Sequence, residues 1–166
     1  MSKLTRRDFI GFMAAASAAP LLLTYSVGGV MADDKEVIIV THADAAWRKL
    51  LTPEQYHVLR DHGTERAGSS PLDAEKRAGI YHCAGCDMPL YDAATKYHSG
   101  TGWPSFWDYL PDAVGTTTDY KIIVPRTEVH CRRCGGHLGH VFEDGPPPTG
   151  LRYCMNGVAL EFKAKL

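Results

Sequence analysis

A mainly β domain of several small, coiled antiparallel sheets, entered through short N-terminal helices, is the fold class predicted for this 166-residue chain by three features. The first is punctuation: 16 glycines and 10 prolines cut the chain into short segments, and few long apolar runs follow residue 32. The second is pattern: from Ile80 onward, short apolar stretches alternate with Gly, Pro and Asp turns, as strands do and helix bundles do not. The third is a repeated Cys-x-x-Cys spacing, able to pin distant segments of such sheets to one point. The length suits one domain with a true core. A net charge of −1 excludes a nucleic-acid binder held by bulk charge.

Residues 1–32 read as a leader. Lys3, Arg6 and Arg7 precede an uncharged stretch from Phe9 to Ala32, and Thr5 to Ile10 resembles a twin-arginine export signal. Cleavage is expected between Ala32 and Asp33, with a retained membrane anchor as the alternative, since the stretch is long enough to span a bilayer. The expected location is therefore the periplasm, or the membrane if the signal is kept. Without the leader the net charge is −3. Residues 33–46 read as an N-terminal arm or linker, and 47–166 as the folded domain.

Within residues 47–166, Thr52-Pro53-Glu54-Gln55 is a helix start, with Thr as N-cap and Pro at the first helical position. Tyr56, Leu59 and the Arg60 stem then share a face as far as Asp61. Residues 63–71 are loop. A second short helix is expected through Asp73-Ala74-Glu75-Lys76. Short strands and turns follow to the end.

The strongest local signal lies in four of the five cysteines, Cys83, Cys86, Cys131 and Cys134. Two residues between ligands let both sulfurs of a tight turn face one ion, and two such turns supply a closed tetrahedral thiolate site. Gly85, Gly135 and Gly136 are expected to supply the unusual backbone angles. One structural Zn2+ is the first reading. Rubredoxin-type iron and disulfides are the alternatives, although bonds inside each turn would staple nothing across the fold.

Cys154 has no such partner, and an odd cysteine in an exported protein marks a reactive thiol or a small core residue. On a strand, Arg152, Cys154 and Asn156 share a face, so a cation and an amide flank the sulfur. That face continues as Val158, Leu160 and Phe162, which requires either a bulge at Gly157 or a strand running from site to core. His137 and His140, in Gly136-His-Leu-Gly-His-Val-Phe142, fall on opposite faces of a perfect strand, and their glycines are expected to turn both into one pocket. Asp144 begins the next turn. Trp103, bracketed by Gly102 and Pro104, can wall a small apolar group; Phe106 and Trp107 are core candidates. His82 and His130, each beside a ligand cysteine, are minor alternative ligands.

Five ordered blocks resemble the B-type peptide methionine sulfoxide reductases: Cys83 to Leu90, Ser99 to Phe106, Cys131 to Cys134, His137 to Phe142 and Gly150 to Asn156. The likeness runs from about Trp47 to Phe162. It implies small coiled antiparallel sheets with zinc remote from the active site, and reduction of the R epimer of methionine sulfoxide in proteins. It implies Cys154 as nucleophile and Trp103 against the substrate methyl. It places His137, His140 and Asn156 around the sulfoxide, with His140 favoured as proton donor, and Arg152 and Asp144 as charged surroundings.

Thiolate attack on a protonated sulfoxide releases methionine and leaves a sulfenic acid on Cys154. Members with a resolving cysteine can carry it where this chain has Thr101. If the other four cysteines hold zinc, a thioredoxin-like or other external thiol must resolve the sulfenic acid. The expected partners are oxidised proteins or peptides and that reductant, with no nucleic acid, acting on a monomer. The rival classes are a zinc-stabilised binding module, which needs neither Cys154 nor the two histidines, and an iron–thiolate electron carrier, which would be coloured.

Overall fold

Residues 39–121 and 124–165 are described by the computed structural model, and they form two short helices and nine strands in two antiparallel sheets. The expected leader and the start of the expected arm lie outside the described residues. Helix α1 (Asp44–Leu50) starts within the segment expected to be an arm and buries Trp47. It has no side-chain N-cap, so no local start signal announces it. Helix α2 (Pro53–Leu59) has the expected start: Thr52 Oγ1 accepts from Gln55 N at 3.2 Å, and Gln55 Oε1 accepts from Thr52 N at 3.0 Å. Its buried face is Tyr56, Val58 and Leu59. Arg60 caps that face, its guanidinium 4.8 Å over the Trp47 ring and donating to the Cys134 carbonyl at 3.0 Å.

The expected helix at Asp73–Lys76 is absent. A 3₁₀ turn covers Pro71–Asp73, and the Glu75 carboxylate accepts from the N–H groups of Lys76 and Arg77, both at 2.9 Å. A side chain bonded to the backbone just beyond it favours a turn over a continuing helix.

The smaller sheet has the order β2 (Pro89–Asp92), β1 (Gly79–Cys83), β9 (Leu160–Ala164). The larger has the order β3 (Lys96–Tyr97), β4 (Ser105–Phe106), β8 (Arg152–Met155), β7 (His137–Phe142), β6 (Arg126–Cys131), β5 (Val114–Asp119). Aromatic packing joins the two. Tyr91 of β2 stacks on Phe106 of β4 with centroids 4.4 Å apart, and Tyr81 of β1 meets Phe106 edge-on at 4.9 Å. The Tyr91 hydroxyl reaches the Met155 sulfur at 3.0 Å, and all four side chains are fully buried. Phe106 is core as expected, whereas Trp107 is only partly buried.

Between β8 and β9 the chain takes neither expected course. β8 stops at Met155, a 3₁₀ turn occupies Gly157–Ala159, and β9 begins in the other sheet. The alternation of Cys154 therefore does not carry through to Leu160 and Phe162.

Candidate active site

Cys154 lies on β8 in the middle of the larger sheet, and strand register decides what faces it. It pairs with Ser105 of β4 on one side and His140 of β7 on the other. The same row continues outward through Glu128 and Thr117, and through Tyr97. Directly opposed residues share a face, so Tyr97, Ser105, Cys154, His140, Glu128 and Thr117 form one rung across six strands.

His137 and His140 share that face because of a bulge, and not because of a glycine turn. Val129 of β6 faces Gly139, but its neighbour His130 faces His137, so Leu138 has no partner in the ladder. One extra residue inverts the alternation. The two imidazole centroids come to 5.4 Å. Gly139 is required here by close approach: a Cβ would lie 2.1 Å from the Cys154 carbonyl oxygen.

Each imidazole rests on a carboxylate. His140 Nε2 donates to Asp119 Oδ2 at 2.8 Å, and Arg126 donates to the same oxygen at 2.7 Å. The Lys121 N–H, His140 and Arg126 together hold the Asp119 carboxyl well below the usual carboxylate range. His140 Nδ1 is the nitrogen left for a substrate. His137 Nδ1 donates to Glu128 Oε1 at 2.7 Å. Burial pushes the His137 pKa down, against the raising effect of Glu128.

A small cavity of about 130 Å³ opens onto Cys154 and His140. Trp103 and Phe142 form its apolar walls, and Thr64, Arg126 and Asn156 its polar ones. Trp103 is held by its indole N–H donating to the Glu65 carbonyl at 3.2 Å. The preceding Gly102 has φ +86, and a Cβ there would meet Gly68 N at 2.9 Å. Asn156 is chiefly a brace. Its Nδ2 donates to the Leu138 carbonyl at 3.0 Å and its Oδ1 accepts from Glu65 N at 3.0 Å, which leaves one amide N–H for the cavity. Beside the sulfur, Thr101 Oγ1 lies 3.9 Å from Cys154 Sγ and 2.8 Å from Ser99 Oγ, which lies 2.7 Å from Ser105 Oγ.

Cys154, His140, Trp103 and Asn156 thus line one cavity. His137 sits behind His140 and outside the lining. Arg152 and Asp144 form a two-bonded ion pair at 2.8 Å per bond and reach the cavity only through Phe142, whose ring lies 4.3 Å beneath the Arg152 guanidinium. Arg126, Asp119 and Glu128 were not anticipated. Arg126 and Glu128 do alternate on one face of the strand leading to Cys131, a weak signal for a polar face; Asp119 has no local signal. A larger groove of about 860 Å³ between α2 and the 3₁₀ turns contains no thiol.

The other four cysteines converge as expected. Sγ of Cys83 lies 3.7 Å from that of Cys134, and Sγ of Cys86 lies 3.5 Å from that of Cys131. Sulfurs around an ion at about 2.3 Å stand about 3.8 Å apart, so the donor set fits a tetrahedral metal ion. His82 and His130 are not in the cluster. The sulfur of Cys131 pushes the Cys83 and Cys86 thiols up, a penalty a bound cation reverses. The two turns are copies: Cys83 N donates to Met88 O and Asp87 N to Cys83 O, just as Cys131 N donates to Gly136 O and Gly135 N to Cys131 O. The left-handed residue follows each second cysteine, as Asp87 (φ 59) and Gly135 (φ 66). Gly85 and Gly136 do not have that conformation.

A thiol-bearing rung, two carboxylate-backed imidazoles and a small half-apolar cavity suit attack of a thiol on a compact polar group with proton delivery. Comparison with known proteins agrees. The SelR domain matches residues 51–164. The peptide methionine sulfoxide reductase MsrB of Agrobacterium fabrum is 53% identical over 125 residues, covering 75% of this chain and 93% of that protein. The MsrB of Pseudomonas putida strain W619 is 56% identical over 120 residues, 72% of this chain and 90% of that protein. The chloroplastic peptide methionine sulfoxide reductase B1 of Arabidopsis thaliana is 52% identical over 119 residues, 71% of this chain and 59% of that protein.

Proposed function

This chain belongs to the SelR-domain, MsrB-type peptide methionine sulfoxide reductases and reduces methionine sulfoxide in peptides, and we propose that it acts on the R epimer through Cys154. The observation that carries the mechanism is the cross-strand pairing of Cys154 with His140 at the head of the small cavity. The substrate methyl packs on Trp103 and Phe142, and the sulfoxide oxygen faces His140. His140, oriented by Asp119, delivers a proton to that oxygen while the Cys154 thiolate attacks sulfur. The oxygen passes to Cys154, methionine leaves, and a sulfenic acid remains. His137 supports His140 from behind, and Asn156 offers its free N–H to the substrate. The Arg152–Asp144 pair provides the charged rim beyond Phe142.

Thr101, and no cysteine, stands nearest to Cys154 on the Trp103 loop. The cycle is therefore completed by an external thiol of the thioredoxin-like kind. It condenses with the sulfenic acid to a mixed disulfide and water, and a second thiol frees Cys154. Cys83, Cys86, Cys131 and Cys134 would hold a Zn2+ ion. Its role there is structural, neutralising the thiolates and clamping β1 to the end of β6. Residues 1–32 direct export by the twin-arginine route to the periplasm and are removed, the residues before α1 form a linker, and the enzyme works as a monomer.

The test supplies the full chain with peptides containing R- or S-methionine sulfoxide and dithiothreitol, beside a Cys154→Ser control. Reduction of the R peptide alone, lost in the control, is expected. Equal reduction of both epimers would remove the stereochemical reading, and full activity of Cys154→Ser would remove the nucleophile. Mass spectrometry after one turnover without reductant is expected to find a trappable sulfenic acid. An internal disulfide to Cys154 would overturn the external-thiol cycle.

A further inference from the structure

Behind the cavity one carboxylate oxygen receives two imidazoles. Glu128 Oε1 lies 2.7 Å from His137 Nδ1 and 2.9 Å from His62 Nδ1. The donor atoms of all three residues lie within 4.8 Å of one another. They come from three separate places: the loop after α2, β6 and β7. Glu128 is also oriented from its far side, where Oε2 accepts from the Thr117 hydroxyl at 3.2 Å. Such outer hydrogen bonds fix the carboxylates of metal sites.

His62 is placed there at a cost. Its φ is +54, a conformation that glycine or asparagine adopts more cheaply. Its carbonyl accepts from Lys121 Nζ at 3.1 Å, and the next residue, Gly63, donates to the His57 carbonyl at 2.8 Å. The strained backbone aims its imidazole at Glu128. The His62 side chain is 44% exposed and that of His137 3%, so the three donors form a cup closed behind and open to water at His62. Two imidazoles and a carboxylate with an open side suit a divalent first-row ion with water completing its shell.

We propose that His62, Glu128 and His137 bind a divalent transition ion of the zinc type, at a second site distinct from the four cysteines, and that occupancy slows the enzyme. Donors around such an ion stand about 3.3 Å apart, so the shorter contacts must open by about half an ångström. Glu128 is the direct cross-strand neighbour of His140, so that movement bears on the residue facing the thiol. The binding site stands on its own geometry, whereas the slowing rests on the proposed role of His140.

The test uses the full chain with one zinc equivalent already bound, titrated with further Zn2+ in a calorimeter. Turnover is followed in parallel with a weakly chelating phosphine reductant. A second equivalent is expected, weaker by about tenfold or more in His62→Ala and retained in Cys154→Ser. Added Zn2+ should slow the parent enzyme and spare His62→Ala, whose turnover without added metal should match the parent. His62→Gly, which suits the same backbone, should repeat that result and so exclude a folding defect. The site is overturned if no second equivalent binds, if binding survives both His62 variants, or if it disappears in Cys154→Ser. Loss of sulfoxide reduction with second-ion binding intact would instead count against the proposed reaction and leave the site standing.

Discussion

The cysteine cluster and the Cys154 rung achieve convergence by opposite means. In the cluster, each half is a single six-residue turn with the same hydrogen bonds as the other, so local spacing sets each pair of sulfurs and only the meeting of the two turns depends on the fold. In the rung, six residues from six strands meet only because the register of every pair is right. The first arrangement asks little of what surrounds each turn, and the proposed ion would lock the two together. The second needs no ion and fails with a slip of one residue, which would turn each side chain to the other face.

The largest effects should separate the two regions outright. Cys131→Ser is expected to lower the melting temperature on the order of 10 °C or more through loss of metal binding, with activity lost only as the fold is lost. Cys154→Ser should leave melting nearly unchanged and abolish reduction. Equal melting of both variants would break the contrast. Within the rung, His140→Gln should lower kcat about 100-fold or more as the proposed proton donor is removed. Asp119→Asn should cost about tenfold, mostly in kcat, because its role is to orient His140. A change confined to KM would show that Asp119 serves binding instead.

Gly139→Ala should cost about 1–3 kcal/mol, read from urea unfolding, because a Cβ 2.1 Å from the Cys154 carbonyl oxygen forces β7 and β8 apart. It should also reduce turnover, unlike Thr52→Ala, which removes the α2 cap for about 1 kcal/mol and leaves kcat alone. The smallest effect is one of pH. Burial lowers the His137 pKa from 6.5, so below about pH 6.5 the unfolded chain takes up a proton that the folded chain resists. Stability contributed by this group is present above that pH and lost as pH falls through the window to the folded pKa. His137→Gln should flatten that slope in unfolding measured at successive pH values; an unchanged slope would assign it to other groups.

What could be read in advance follows the same division. The four cysteines, the α2 capping box, the strand carrying Cys154 and the Trp103 wall are local patterns, and each stands where it was expected. Helix α1 has no cap to announce it. The expected helix at Asp73 yields to a Glu75 side chain that bonds the backbone. The bulge at Leu138, which puts His137 beside His140, depends on pairing with β6 and leaves no mark in its own segment. Asp119 and Arg126 matter only because β5 and β6 lie beside β7. Even in the cluster, Asp87 takes the left-handed position that Gly135 takes in the other turn, so composition alone points to the wrong residue, Gly85.

The bond between the Tyr91 hydroxyl and the Met155 sulfur has a consequence for the enzyme's own durability. The residue next to the proposed nucleophile is itself a methionine, the very group that oxidants convert and this protein restores. Strand alternation turns its thioether away from the cavity, into the aromatic layer between the sheets, where it is fully buried. A repair protein thus keeps a vulnerable sulfur one residue from its proposed reactive one, screened for as long as the layer stays closed. Oxidation of Met155 would therefore report opening of the core.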